Sequence, residues 1–148
     1  MNLAFDPARS VAAGTPLPGS LRVNRKLSQW LKFHRDGYVE AFSGKVEIGQ
    51  GIITALAQIV AEELDVSLVN VRMVAASTAH SPDEAITSGS RSIEESGAAL
   101  RYACAEARAI YLQAAATKLG VPVDSLSIVD GNIVAGNSAR TSYWALAD

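Results

Sequence analysis

The sequence predicts a two-layer α/β domain, an α+β arrangement in which a mixed β-sheet is covered by two main helices. Three observations predict it. Short β-rich runs occupy 27–46 and 69–75, apolar residues recur at three- and four-residue spacing from Ile53 to Leu64, and a long Ala-rich helical stretch runs from Ser92 to Gly120. A chain of 148 residues that is 49% hydrophobic is enough for one core.

Taken in order, residues 1–20 combine Ala, Gly and Ser with Pro7, Pro16 and Pro18 and show no hydrophobic period, which reads as an extended or disordered arm. The folded domain is then 21–148. Leu27, Gln29, Leu31 and Phe33 partly alternate, and Asp36-Gly37 supplies a turn signal before Val39 to Val46, so two antiparallel strands are expected. Ile53, Leu56, Ala57, Val60 and Leu64 mark the buried face of the first helix, which ends near Asp65, with Gln58, Glu62 and Glu63 facing outward.

Val69 to Ala75 reads as a strand and Ser77 to Thr87 as a polar loop. Ser92 and Glu95 are spaced as a capping box for the Ala-rich helix, and Gly120-Val121-Pro122 stops it. Its small residues Ala98, Ala99, Ala103, Ala107 and Ala114 allow close packing. Asp130-Gly131-Asn132 joins Leu126–Val129 to Ile133–Ala135 as a hairpin, and Thr141 to Asp148 carries no terminating signal.

A net charge of −2 with scattered basic residues argues against nucleic acid and anionic membranes as partners. The single cysteine, Cys104, excludes an internal disulfide and a cysteine-ligated cluster within this chain. No apolar run approaches the ~18 residues of a membrane span, and the N-terminus lacks a signal-peptide layout. Direct membrane insertion is therefore not expected, and neither a cytoplasmic nor a periplasmic location is favoured.

Two glycine hinges carry the chemistry. Gly49-Gln50-Gly51 opens the first helix, and Ser88-Gly89-Ser90-Arg91-Ser92 opens the second. Unpaired amides and the positive end of the dipole at a helix start favour an anion, and glycine lets the backbone come close. Gln50 adds an amide, and the second hinge adds hydroxyls and a guanidinium for an oxygen-rich ligand. The plainer alternative is that both are turns and caps. Neither matches a Walker loop or the dinucleotide glycine fingerprint. His34, His80, the Asp83-Glu84 pair and Cys104 form no nucleophilic, acid/base or metal-ligand constellation, so no catalytic residue and no metal ligand is assigned. Asp83 and Glu84 read as turn residues, and Glu94-Glu95 as a solvated helix face.

In combination, Gly44-Lys45-Val46-Glu47-Ile48-Gly49-Gln50-Gly51, Ala57-Gln58-Ile59-Val60-Ala61-Glu62-Glu63-Leu64 and Thr87-Ser88-Gly89-Ser90-Arg91-Ser92 resemble the molybdenum hydroxylases of the xanthine oxidase family. The likeness is closest to large subunits of the isoquinoline 1-oxidoreductase and nicotinate dehydrogenase type and covers nearly everything after the arm.

The resemblance implies that Gly49, Gln50 and Gly51 lie against a molybdopterin cofactor, in its cytosine dinucleotide form. It also implies that Ser88, Gly89, Ser90 and Arg91 line the other wall. The implied reaction inserts oxygen from water into an N-heterocycle or aldehyde. The family's Gly-x-Gly-Glu segment with its glutamate base does not occur here, nor does a further glycine-rich cofactor loop.

The chain is thus expected to be an N-terminal domain or fragment of a large subunit, inactive alone. Implied partners are the remainder of that subunit, an iron–sulfur small subunit and a cytochrome acceptor, with self-association through the uncovered face. The alternatives are a non-catalytic module for a phosphorylated ligand and a purely structural assembly domain.

Overall fold

The computed structural model describes Leu17, residues 19–136 and residues 138–147. Apart from Leu17, Gly19 and Ser20, the expected arm lies outside the described residues. Gly19 and Ser20 are not extended; they begin a short helix, α1 (Gly19–Val23), because Leu21 is wholly buried and Ser20 nearly so.

Strand β1 (Leu31–His34) pairs antiparallel with β2 (Tyr38–Phe42) across the turn at Gly37, whose φ of 91° suits glycine. The run before β1 is not strand. Leu27–Gln29 forms a 3₁₀ turn that swings Trp30 into the core, where the indole N–H donates to the Asn24 carbonyl at 2.9 Å. Strand β2 stops at Phe42, short of Val46, because the chain leaves the sheet at Gly44 to meet the loop at Pro82–Glu84.

Helix α2 (Ile52–Leu64) follows, burying Leu56, Val60 and Leu64 as expected, with Ile52 completing the buried row and Ile53 and Ala57 only half-buried beside it. Each buried side chain of the row contributes about 1.5–3 kcal/mol by leaving water. Strand β3 (Val71–Val74) then joins β2 in parallel, giving a mixed sheet ordered β1-β2-β3.

The long helix begins with a π-helical turn over Ile93–Gly97 and continues as α3 (Ala98–Leu119). Its contact with α2 uses glycine at Gly97, where a Cβ would lie 3.0 Å from the Ile59 Cδ1. Ala99, Ala103 and Ala107 are buried with Leu100 and Cys104, whereas Ala98 is half-buried and Ala114 exposed. The expected Ser92–Glu95 capping box does not form. Ser92 is already helical and makes no side-chain cap, and the Glu95 carboxylate is held by Lys45 and Arg91 instead.

The C-terminal hairpin gains a third strand and makes a separate antiparallel sheet, β4 (Leu126–Val129), β5 (Asn132–Ala135) and β6 (Ser138–Ser142). A short helix, α4 (Tyr143–Leu146), ends the described chain, capped by Ser142 Oγ accepting from the Ala145 amide at 3.1 Å. Tyr143 locks this end to α2: fully buried, its hydroxyl donates to the Leu64 carbonyl at 3.1 Å. Both sheets thereby share one core with the two helices.

Candidate functional site

Continuing the alternation of β2 beyond its last ladder bond puts Val39, Ala41, Ser43 and Lys45 on the inward side, at 0%, 0%, 1% and 1% exposure. The polar pair at the end of this row meets the loop before the second hinge. Glu84, an expected turn residue, is buried: its Oε2 accepts from Ser43 Oγ (3.1 Å), the Gly44 amide (2.9 Å) and Ser96 Oγ (2.8 Å). Its Oε1 is buried with no hydrogen-bond partner. Gly44 is required for the approach, since a Cβ there would collide with the Pro82 carbonyl oxygen and lie 3.0 Å from the Glu84 Cβ.

Lys45 completes the junction. Its Nζ donates to the Glu84 carbonyl (2.9 Å), the Ile86 carbonyl (3.2 Å) and Glu95 Oε2 (2.9 Å), so all three ammonium N–H groups are used. One residue on, the Val46 amide donates to Thr87 Oγ1 at 2.9 Å. These bonds lay the two glycine hinges side by side.

The first hinge is exposed from Val46 to Gly51, with Gly49 and Gly51 at φ of 95° and 77° and open space where their Cβ atoms would be. Two of the helix-start amides, those of Gly51 and Ile53, are already engaged within the chain. Glu47 takes them: its Oε1 accepts from Gly49 (2.7 Å) and Gly51 (3.0 Å), and its Oε2 from Ile53 (3.2 Å). The bonds from Gly51 and Ile53, with those from Gly49 and Gln50, hold this carboxyl below the usual glutamate range. Glu47 reaches these amides only because the loop folds back onto the first turn of the helix, which its spacing alone does not announce.

Gln50 is held by the same loop. Its Oε1 accepts from the Ile48 amide at 2.6 Å and one Nε2 hydrogen goes to the Val46 carbonyl at 2.9 Å, which leaves the second Nε2 hydrogen unused by either bond.

In the second hinge Ser88, Gly89, Ser90 and Arg91 are exposed, and Gly89 and Ser90 have φ of 65° and 58°. A serine in the left-handed region, with Ala85 at φ 53° in the same loop, marks a backbone held by its surroundings. Arg91 pairs with Glu95. A cleft of about 400 Å³ lies behind this hinge, bounded by Ser20, Val23, Glu84, Ile86, Ser88 and Arg91.

The remaining candidates are structural. His34 pairs with Glu40 at 2.9 Å and stacks on Tyr38, His80 is exposed, and Glu63 binds Arg101 at 2.7 Å. Cys104 is fully buried, and desolvation pushes its thiol far above the usual range. Among the described residues no group of three or more His, Cys, Asp or Glu could hold a metal ion, and no helix is long and apolar enough to cross a membrane.

The model of the molybdopterin cofactor-binding domain matches residues 10–148. The chain belongs to the molybdopterin cofactor-binding domains of the xanthine oxidase family. This domain is 43% identical over 122 residues to a subunit of nicotinate dehydrogenase from Pseudomonas putida, a match covering 82% of this chain and 10% of that protein. It is 34% identical to the beta subunit of isoquinoline 1-oxidoreductase from Brevundimonas diminuta, over 78% of this chain and 16% of that one. Among solved structures, CO dehydrogenase from Oligotropha carboxidovorans superposes with a TM-score of 0.68 at 28% identity, covering 78% of this chain and 15% of that chain. The molybdopterin-binding domain therefore spans about a tenth to a sixth of the length of these curated relatives.

The residues at the hinges fit such a cofactor by the chemistry of their donors. Hydroxyls of Ser88 and Ser90, an amide hydrogen of Gln50 and the Arg91 guanidinium suit an oxygen-rich, anionic group. The open space over Gly49 and Gly51 leaves room for it.

Proposed function

We propose that the two hinges form part of the cofactor wall in the large subunit of a molybdenum hydroxylase, of which this chain is an N-terminal domain or fragment. The observation that carries this reading is the junction through Lys45 and Val46. It brings two exposed, glycine-containing, donor-rich segments, far apart in sequence, onto one face of the molecule. Gln50, braced at both ends of its amide, would direct its remaining N–H at the cofactor, while Gly49 and Gly51 keep the surface clear. Ser88, Gly89, Ser90 and Arg91 would supply the opposite wall. Glu47 acts by holding the Gly49–Ile53 turn rigid and is not itself a contact.

The hinges would hold the cofactor in its cytosine dinucleotide form, and the chemistry it would supply is the two-electron oxidation of an N-heterocycle or aldehyde, with water giving the oxygen and releasing two protons. The whole subunit would act with an iron–sulfur small subunit and a cytochrome acceptor, and this chain alone would not turn over. The exposed Val46, Ile48 and Ile86 flank the hinges and would be covered by the rest of the subunit. Left uncovered, they favour self-association of the isolated chain.

With the Gly51 and Ile53 amides held by Glu47, the first hinge offers side-chain donors more than a helix-start anion site, which favours the cofactor wall over a free-standing phosphate-binding module. Gln50→Ala and Gly89→Val in the complete enzyme test the proposal. Each is expected to lower kcat by at least about tenfold, equivalent to about 1.4 kcal/mol, while subunit association is retained. Unchanged turnover in both variants would leave the assembly-domain reading instead.

A further inference from the structure

We propose that Lys45 is a positioning residue that sets the separation of the two hinges, and that cofactor loading depends on its ammonium group; this rests on the cofactor site proposed above. Lysine is rarely buried, and here the side chain is 1% exposed at the edge of a core. Its three donors have three acceptors, and their distribution is the argument. The Glu84 and Ile86 carbonyls lie just before the second hinge, on either side of Ala85 with its left-handed backbone, and Glu95 lies just after it. One charge attached to the first hinge therefore grips the second from both sides.

Glu95 carries the grip outward by pairing also with Arg91, a member of the second wall. The Lys45 bond is the main influence holding the Glu95 carboxyl below the usual range. The neighbouring bonds to Glu84 Oε2 reach only its side chain and leave the backbone at Ile86 unheld. A methionine would fill the space of the lysine stem without holding either carbonyl.

The test uses the complete enzyme, assembled by co-expression, with Lys45→Met and Glu95→Gln. Molybdenum and pterin per polypeptide are expected to fall at least tenfold in Lys45→Met with subunit association intact. Glu95→Gln keeps the ammonium and its two carbonyls and is expected to load partially, with an altered Mo(V) electron paramagnetic resonance spectrum. A role confined to stability would not move that spectrum. In the chain alone, hydrogen exchange over 84–92 is expected to quicken at least tenfold in Lys45→Met while the centre of α2 stays protected.

Equal loading, an unchanged spectrum and unchanged exchange in both variants would overturn the inference. If Lys45→Met fails to assemble, wild-type loading and spectrum in Glu95→Gln would overturn it. A wild-type complex devoid of molybdenum would instead sink the cofactor proposal, and the exchange data would still decide whether Lys45 holds the hinge.

Discussion

Replacing Gly44 by alanine tests the junction at its tightest point. The added methyl would overlap the Pro82 carbonyl oxygen and press on the Glu84 Cβ at 3.0 Å and the Glu84 amide nitrogen at 3.1 Å. Two of these contacts are backbone atoms, so relief requires the loop to lift. Overpacking of this kind costs about 1–3 kcal/mol. Lifting the loop also strains the three hydrogen bonds on Glu84 Oε2, each worth about 0.5–1.5 kcal/mol net.

A net loss of about 3 kcal/mol is expected, or about 6–12 °C in Tm for a domain of this size. Urea unfolding of the chain at constant m measures it. Gly19→Ala is the control, because its Cβ would meet only the Arg22 Nη2 at an ordinary 3.7 Å, and a change within about 0.5 kcal/mol is expected. A Gly44→Ala variant within about 0.5 kcal/mol of wild type would refute the close-approach argument.

Three further outcomes follow from particular contacts. Tyr143→Phe removes the buried hydroxyl that donates to Leu64 and should destabilise the chain by about 1–2 kcal/mol, read by the same urea titration; no loss would mean that α4 is not locked to α2. Glu47→Gln should flatten the acid limb of the stability curve. Because the folded carboxyl titrates below its usual range, its contribution is full above that range and lost as pH falls through the lowered value, so wild type and variant should converge in acid and differ near neutrality. Cys104 should resist thiol reagents at pH 8 in the folded chain and react promptly in denaturant; fast labelling of the native chain would contradict its burial.

Elements with a strong period were legible before the structure. Ile53 to Leu64, the turn at Asp36-Gly37 and the Asp130-Gly131-Asn132 hairpin all occur where periodicity or turn chemistry put them. Elements whose limits depend on distant partners were not. Strand β2 ends early because Gly44 must meet Pro82, and Ser92 makes no cap because Glu95 is drawn to a lysine fifty positions away in sequence.

The third strand of the last sheet follows a hairpin that carries no signal for it, since Ser138–Ser142 is polar and short. Lys45 was hidden by its type: within the expected strand Val39–Val46 a lysine gives no sign of burial, and only the inward row Val39, Ala41, Ser43 reveals its side. Glu84 was hidden for the same reason, a carboxylate after proline reading as a turn. The hinge glycines themselves were visible, but the occupation of their amides by Glu47 depends on how the loop folds back, which no spacing rule states.

The most direct test of the central claim is metal and pterin analysis of this chain, made alone and made within its assembled complex in a host that produces the cofactor. The cofactor-wall account predicts molybdenum and oxidised-pterin fluorescence in near-stoichiometric amount in the complex and neither in the chain alone. A correctly assembled complex without molybdenum or pterin would contradict it.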